Sequence, residues 1–185
     1  EVDPARFDAL LAVLDDLGLA RAHYWGFSMG GRIAFALADS QRHRVRTLVI
    51  GAAHPYARTL RAEERLDGSD AMLFVQRLYQ RTGIDLDTLP APMREELFAN
   101  DFRALAAIQG DWPAMESVLP AMNLPCLLYV GDADPYLAKV KSCAAQIPDA
   151  QLLVLPGLDH GSAFHERASV LPVVTAFLER HESST

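Results

Sequence analysis

Long apolar runs are missing from this 185-residue chain, as are the basic clusters and cysteine frameworks that mark membrane, nucleic-acid and secreted scaffold proteins. No apolar stretch approaches the roughly 18 residues of a membrane span. The first segment lacks the basic, apolar, small-residue order of a signal peptide. Lys and Arg number 17 against 24 Asp and Glu, a net charge of −7. Without clustered cations, nothing neutralises a phosphate backbone or an anionic surface, so neither nucleic acid nor membrane is expected as a partner. The two cysteines, Cys126 and Cys143, are too few for a staple framework. They fall on what read as a buried strand and a packed helix, and reduced thiols in a cytoplasmic protein are the expectation. What is present is 50 % hydrophobic. A chain of this length buries about 70 % of its unfolded surface, enough for one real core and too much for disorder.

Asp3 and Pro4 read as an N-cap and a first-turn proline, and Phe7, Leu10, Leu11, Leu14 and Leu17 recur at helical spacing until Gly18. Residues 4–17 are therefore predicted helical. An aromatic apolar run at 22–27 meets a second helical pattern at 29–38, which reads as strand, sharp turn, helix. Residues 44–53 are nearly continuously apolar, as in a strand buried on both faces of a parallel sheet. Two more such runs, 126–130 and 151–155, are each followed by a predicted helix, 136–146 and 163–180. Alternating strands and helices predict an α/β fold with a doubly wound parallel sheet. Between the halves, residues 55–123 show only helical patterns, at 60–66, 71–80, 92–99, 102–108 and 114–122. An excursion that long is too large for an ordinary connection. The expected organisation is a core of 1–54 and 124–185 with an all-helical cap at 55–123, and a tail that frays from His181.

At the first strand-to-helix turn stands Gly26-Phe27-Ser28-Met29-Gly30-Gly31, a G-x-S-x-G pattern. Flanking glycines permit a turn too tight for side chains, which leaves the serine hydroxyl exposed beside a helix N-terminus. The bland alternative is a structurally required turn with an innocent serine. A serine hydroxyl is a weak nucleophile and needs a base, and the base needs an orienting group. Gly131-Asp132-Ala133-Asp134-Pro135 and Pro156-Gly157-Leu158-Asp159-His160-Gly161 follow the last two strands. In a parallel sheet these loops leave the same edge, so Ser28, an aspartate and His160 converge there. Asp132 and Asp134 compete for the acid's place. The loop at Gly51-Ala52-Ala53-His54 offers no carboxylate.

These motifs, with the helical insertion, resemble the α/β-hydrolases, particularly their capped esterases and lactonases. The resemblance covers essentially the whole chain. It implies Ser28 as nucleophile, His160 as general base and Asp134 as the acid, because the family's acid stands three residues after the glycine; Asp132 then becomes a turn residue. The N–H of Met29 would be one oxyanion donor. The implied activity is hydrolysis of small, largely apolar esters or lactones through an acyl-enzyme. Carbon–carbon bond hydrolysis, haloperoxidase-like chemistry and receptor-like ligand binding are the alternatives within the family. Asp159 either raises the basicity of His160 or is merely solvated. His54, leaving a strand at the active edge, and Trp112, among the apolar side chains of the cap, are the expected substrate contacts. Arg58, Arg61 and Arg65 read as a solvated helix face interleaved with Glu63 and Glu64.

No H-x-x-x-H or C-x-x-C occurs, and no histidine stands at ligand spacing from a cysteine, so no metal is expected. Gly26 to Gly31 fails the G-x-G-x-x-G pattern, so no cofactor is expected either. The chain opens on Glu1 rather than Met, and the family's upstream strands have no counterpart. A missing N-terminal segment, or a second copy in a homodimer, is therefore expected to cover the edge of the strand at 22–27.

Overall fold

The structure is a computed structural model that describes residues 5–82, 85–108 and 111–182. Its elements divide into two compact units, one formed by Glu1–Tyr56 with Ala114–Thr185 and the other by Ala57–Pro113.

The first unit carries β1 (Ala22–Phe27), β2 (Val45–Gly51), β3 (Cys126–Gly131) and β4 (Ala150–Leu155), all parallel and in spatial order β1-β2-β3-β4. Helices α1 (Ala5–Asp16) and α2 (Met29–Ser40) flank β1 in sequence, and α6 (Leu137–Ala144), α7 (His160–His165) and α8 (Val170–Glu182) follow β3 and β4. Strand alternation divides the core. Leu48, Ile50, Cys126, Leu128 and Val130 pack on one face with Phe35 and Leu37 of α2 and Val140 and Cys143 of α6. Val49, Leu127, Tyr129 and Leu155 pack on the other with Ala163, Val174 and Phe177 of α7 and α8. A period of two with apolar residues on both faces is what a sheet covered on two sides demands, and it is why β2 and β3 read as unbroken apolar runs.

The edge strand β1 is less covered. Trp25, which shares its face with Val49, remains 45 % exposed although its indole N–H donates to the Tyr129 hydroxyl at 3.1 Å. Gly18 ends α1 in the left-handed region (φ 65°), and the N–H of Leu19 reaches back to the Leu14 carbonyl at 2.8 Å. The predicted N-cap Asp3 and Pro4 lie outside the described residues; so does 183–185 of the tail, whereas His181 and Glu182 belong to α8.

The second unit holds α3 (Ala71–Thr82), α4 (Ala91–Phe98) and α5 (Phe102–Ile108) around Phe74, Val75 and Phe102. Gly68, at φ 76°, packs so closely that a β-carbon would sit 2.1 Å from the Phe102 carbonyl oxygen. Arg58 and Trp112 close the unit through two backbone hydrogen bonds, N to O at 3.0 Å and 2.7 Å. Among the described residues, no helix of either unit is long and apolar enough to cross a membrane.

Several local expectations are corrected. The segment 60–66 forms only a three-residue 3-10 turn, Ala62–Glu64; so short a stretch does not repay helix nucleation. Arg58, Arg61 and Arg65 consequently share no helix face: Arg61 pairs with Glu64, Arg65 with Asp111, and the Arg58 guanidinium stands 5.1 Å from the Trp112 ring centroid. The pattern at 114–122 becomes the 3-10 segment Glu116–Ala121, where Pro120 lacks the N–H that an α-helix needs. Its Met115, Val118, Leu119 and Met122 are buried in the first unit's core, which moves 114–123 out of the helical insertion. The long last helix breaks into α7 and α8 because the Glu166 carboxylate takes the N–H of Ser169 at 2.7 Å and starts a new helix.

Candidate active site

Ser28 follows β1 and precedes the first residue of α2 in a conformation costly for any side chain, φ 52° and ψ −109°. Its N–H donates to the Gly51 carbonyl of β2 at 2.8 Å, and its own carbonyl accepts from Arg32 at 3.0 Å. The turn is affordable because Gly26 and Gly31 lack β-carbons. One added at Gly26 would lie 2.4 Å from the Gly30 carbonyl, and one at Gly31 would lie 2.6 Å from Ala53 Cβ. Gly30, the last glycine of the motif, has ordinary room, its nearest neighbour being the Tyr24 hydroxyl at 3.8 Å. Tyr24 in turn donates to the Gly30 carbonyl at 3.0 Å and so fixes the first turn of α2.

Two loops from the far side of the sheet meet this serine. His160 Nε2 lies 3.0 Å from Ser28 Oγ, and His160 Nδ1 lies 2.7 Å from Asp134 Oδ2. A neutral ring protonated at Nδ1 donates to the carboxylate and leaves Nε2 to accept the serine proton. Asp134 and His160 are 3 % and 5 % exposed, so the charge-assisted bond between them is shielded from water. The remaining oxygen of Asp134 accepts the N–H of Tyr136 at 2.7 Å.

Asp132 occupies a different place. Its carboxylate accepts the N–H of Gly157 at 2.7 Å, which ties the acid's loop to the histidine's loop. Two backbone bonds reinforce the tie, Asp132 N to Leu155 O and Ala133 N to Leu158 O, each 3.0 Å. Gly131 makes the approach possible, for a β-carbon there would sit 1.9 Å from the Leu158 carbonyl oxygen. Asp159 is the N-cap of α7: its carboxylate accepts from Ser162 N at 2.7 Å, and its own N–H donates to Ser162 Oγ at 2.9 Å. Burial works to raise this carboxyl, and the hydrogen bonds from Ser162 outweigh it and hold it below the ordinary range.

Met29 opens α2, so its N–H belongs to the helical turn that has no intrahelical acceptor and carries the positive end of the dipole. His54 is buried in the first unit beside Tyr56 and Tyr136, at ring distances of 5.6 Å and 5.0 Å. Its carbonyl, with that of Tyr56, accepts from the buried Arg32 guanidinium at 3.0 Å and 2.7 Å. Trp112 belongs to the helical unit, where it pairs with Arg58.

Two features of the site carry little or no signal in the sequence. Tyr136 touches both acid and base, and an Asx turn at Asp134 was its one signal. Ala52 sits at φ 45°, fully buried, with its N–H on the Tyr129 carbonyl at 2.8 Å, and an alanine carries no signal for that conformation.

Comparison with known proteins extends this geometry. The family described as alpha/beta hydrolase fold matches residues 7–81, which include the serine turn. A thermophilic esterase from Thermogutta terrifontis superposes with a TM-score of 0.78 over 95 % of this chain and 71 % of its own, at 22 % identity. The enol-lactonase from Burkholderia xenovorans LB400 gives a TM-score of 0.76 over 92 % of this chain and 70 % of its own, at 20 % identity.

This chain has the α/β-hydrolase fold.

Within that fold, Ser28 occupies the sharp turn between β1 and its following helix, and Asp134 and His160 follow β3 and β4 in the same sheet. The likeness to one curated relative is local: homoserine O-succinyltransferase from Xanthomonas campestris pv. campestris is 44 % identical over 63 residues, 31 % of this chain. The match spans 17 % of that relative's length.

Proposed function

We propose that this α/β-hydrolase-fold chain acts as a serine hydrolase on small, largely apolar carboxylic esters or lactones, through an acyl-enzyme and without a cofactor. The observation that carries the reading is the unbroken relay Ser28 Oγ, His160, Asp134 at 3.0 Å and 2.7 Å. Ser28 attacks the carbonyl carbon while His160 Nε2 takes its proton, and Asp134 holds the Nδ1 proton and stabilises the imidazolium. The N–H of Met29 donates to the developing oxyanion. His160 then returns the proton to the leaving alcohol, and water repeats the sequence to release the acid. His54 and Trp112 are proposed substrate contacts, and the cytoplasm, which keeps Cys126 and Cys143 reduced, is the proposed compartment. The open edge of β1 is proposed to take a further strand, from additional polypeptide or from a second copy in a homodimer.

A fluorophosphonate probe tests the reading: it labels the parent chain and leaves Ser28→Ala unlabelled. Labelling that survives the substitution overturns it.

The local likeness to an O-succinyltransferase favours one second reading, in which the same acyl-enzyme yields to an alcohol instead of water. The two differ in product. Mass spectrometry of the acyl group after incubation with an ester and a hydroxyl-bearing amino acid finds free acid in the first case and a new ester in the second.

A further inference from the structure

We infer that Tyr136, acting with Phe27, is a positioning residue that holds the His160 imidazole in the plane the relay requires. The inference rests on the serine-hydrolase reading. His160 has two hydrogen-bond partners, and each is carried on a turn that also supplies a ring against the imidazole. Phe27 immediately precedes Ser28, and its ring centroid lies 5.0 Å from that of His160 at an interplanar angle of 58°. Tyr136 follows Asp134 by two residues, and its ring meets the imidazole edge to face, at 5.4 Å and 90°.

Hydrogen bonds at Nδ1 and Nε2 are soft enough to let the ring tilt through small changes in its two side-chain torsions; aromatic contacts from the side narrow that freedom. Tyr136 does so while its backbone N–H holds Asp134 Oδ1 at 2.7 Å, so one residue sets the acid's oxygen and the base's plane together. Its own ring does not depend on His160 for its place. The His54 ring contacts it at 5.0 Å and 85°, and the Lys139 ammonium lies 5.9 Å from its centroid. Preorganised supports of this kind keep a reacting group in its productive geometry before substrate arrives. The phenol hydroxyl has no part in this account; the ring does the work.

Tyr136→Leu and Tyr136→Phe, made in the full chain, test the inference with two readouts. Steady-state hydrolysis of an aryl ester is expected to show kcat down about tenfold in Tyr136→Leu with KM within about twofold, and Tyr136→Phe close to the parent. The second readout needs no turnover: the far-downfield proton resonance of His160 Nδ1–H, deshielded by its bond to Asp134, is expected to persist in Tyr136→Phe and to broaden or disappear in Tyr136→Leu. Phe27→Leu gives the same pattern from the other ring and serves if Tyr136→Leu does not fold. A folded Tyr136→Leu with parental kcat and an unchanged resonance overturns the inference, as does equal impairment of Tyr136→Phe and Tyr136→Leu. A resonance that follows the ring in a chain without Ser28-dependent turnover supports the positioning role and overturns the serine-hydrolase reading instead.

Discussion

The two units of this chain solve the burial problem by different means. In the first, β2 and β3 are buried along nearly their whole length, and helices cover both faces of the sheet. In the second, α4 contributes no buried residue and the core reduces to Phe74, Val75 and Phe102 with a ring of half-buried neighbours. A parallel ladder fixes backbone positions through evenly spaced hydrogen bonds, whereas the short helices of the second unit are held to one another mainly by side-chain contact around a small core. The candidate chemistry lies in the unit whose backbone is fixed. Relays that lose their function over an ångström need that support.

The largest expected effect is confined to chemistry. Ser28→Ala should lower kcat by about a thousandfold or more while leaving the thermal melt unchanged, because the serine's strained turn is made by glycines and backbone bonds that stay in place. A melt displaced by several degrees would show that the hydroxyl also holds the turn.

Next come the close approaches. Gly31→Ala must push aside Ala53 and the Gly51 carbonyl, and Gly131→Ala must push aside the Leu158 carbonyl, so both should cost about 3 kcal/mol or more and most of the activity. Gly30→Ala, one residue from Gly31, should be nearly neutral in denaturant titration. That outcome would separate the glycines the turn requires from the one it only resembles.

Core truncation compares the units directly. Leu128→Ala, in the middle of β3, should cost about 3 to 5 kcal/mol and lower hydrogen-exchange protection throughout the first unit. Phe102→Ala should remove protection from α3 to α5 and leave β2 and β3 protected. Equal loss in both units from either variant would make the two one cooperative body.

The smallest effect concerns the thiols. Burial pushes Cys126 up to about 12 and Cys143 to about 11, from an ordinary value of 9.0. Both should resist alkylation at pH 8 until urea unfolds the chain. Above pH 9 the unfolded thiols lose protons that the folded ones keep, so this contribution is full below pH 9 and falls as the pH rises towards 11 and 12. Equilibrium unfolding between pH 8 and 10 measures it.

The sheet was legible in sequence because strands covered on both faces leave unbroken apolar runs, as 45–51 and 126–131 do. The serine turn was legible because glycine spacing records steric need, although Gly31 rather than Gly30 carries that need at its end. The choice between Asp132 and Asp134 rested on family resemblance, since both follow one strand at short range and only the fold of the loop separates an oxygen on Gly157 from one on His160. At 114–122 the two signals conflict: the apolar spacing is helical, whereas Pro120 lacks the N–H an α-helix needs. Tyr136 and Ala52 act through contacts between loops distant in sequence, and such contacts leave no periodic trace.

The bonding across the sheet has a mechanical consequence. Asp134 and His160 ride on β3 and β4, whose loops are pinned together through Asp132 and Gly157. Ser28 rides on β1, fastened to Gly51 of β2. The acid and base are therefore tied to each other directly, and the nucleophile is joined to them through the pairing of β2 with β3, where Gly51 stands opposite Tyr129. The spacing of Ser28 from His160 thus depends on the pairing of β2 with β3, whereas that of His160 from Asp134 depends on β3, β4 and the tie between their loops.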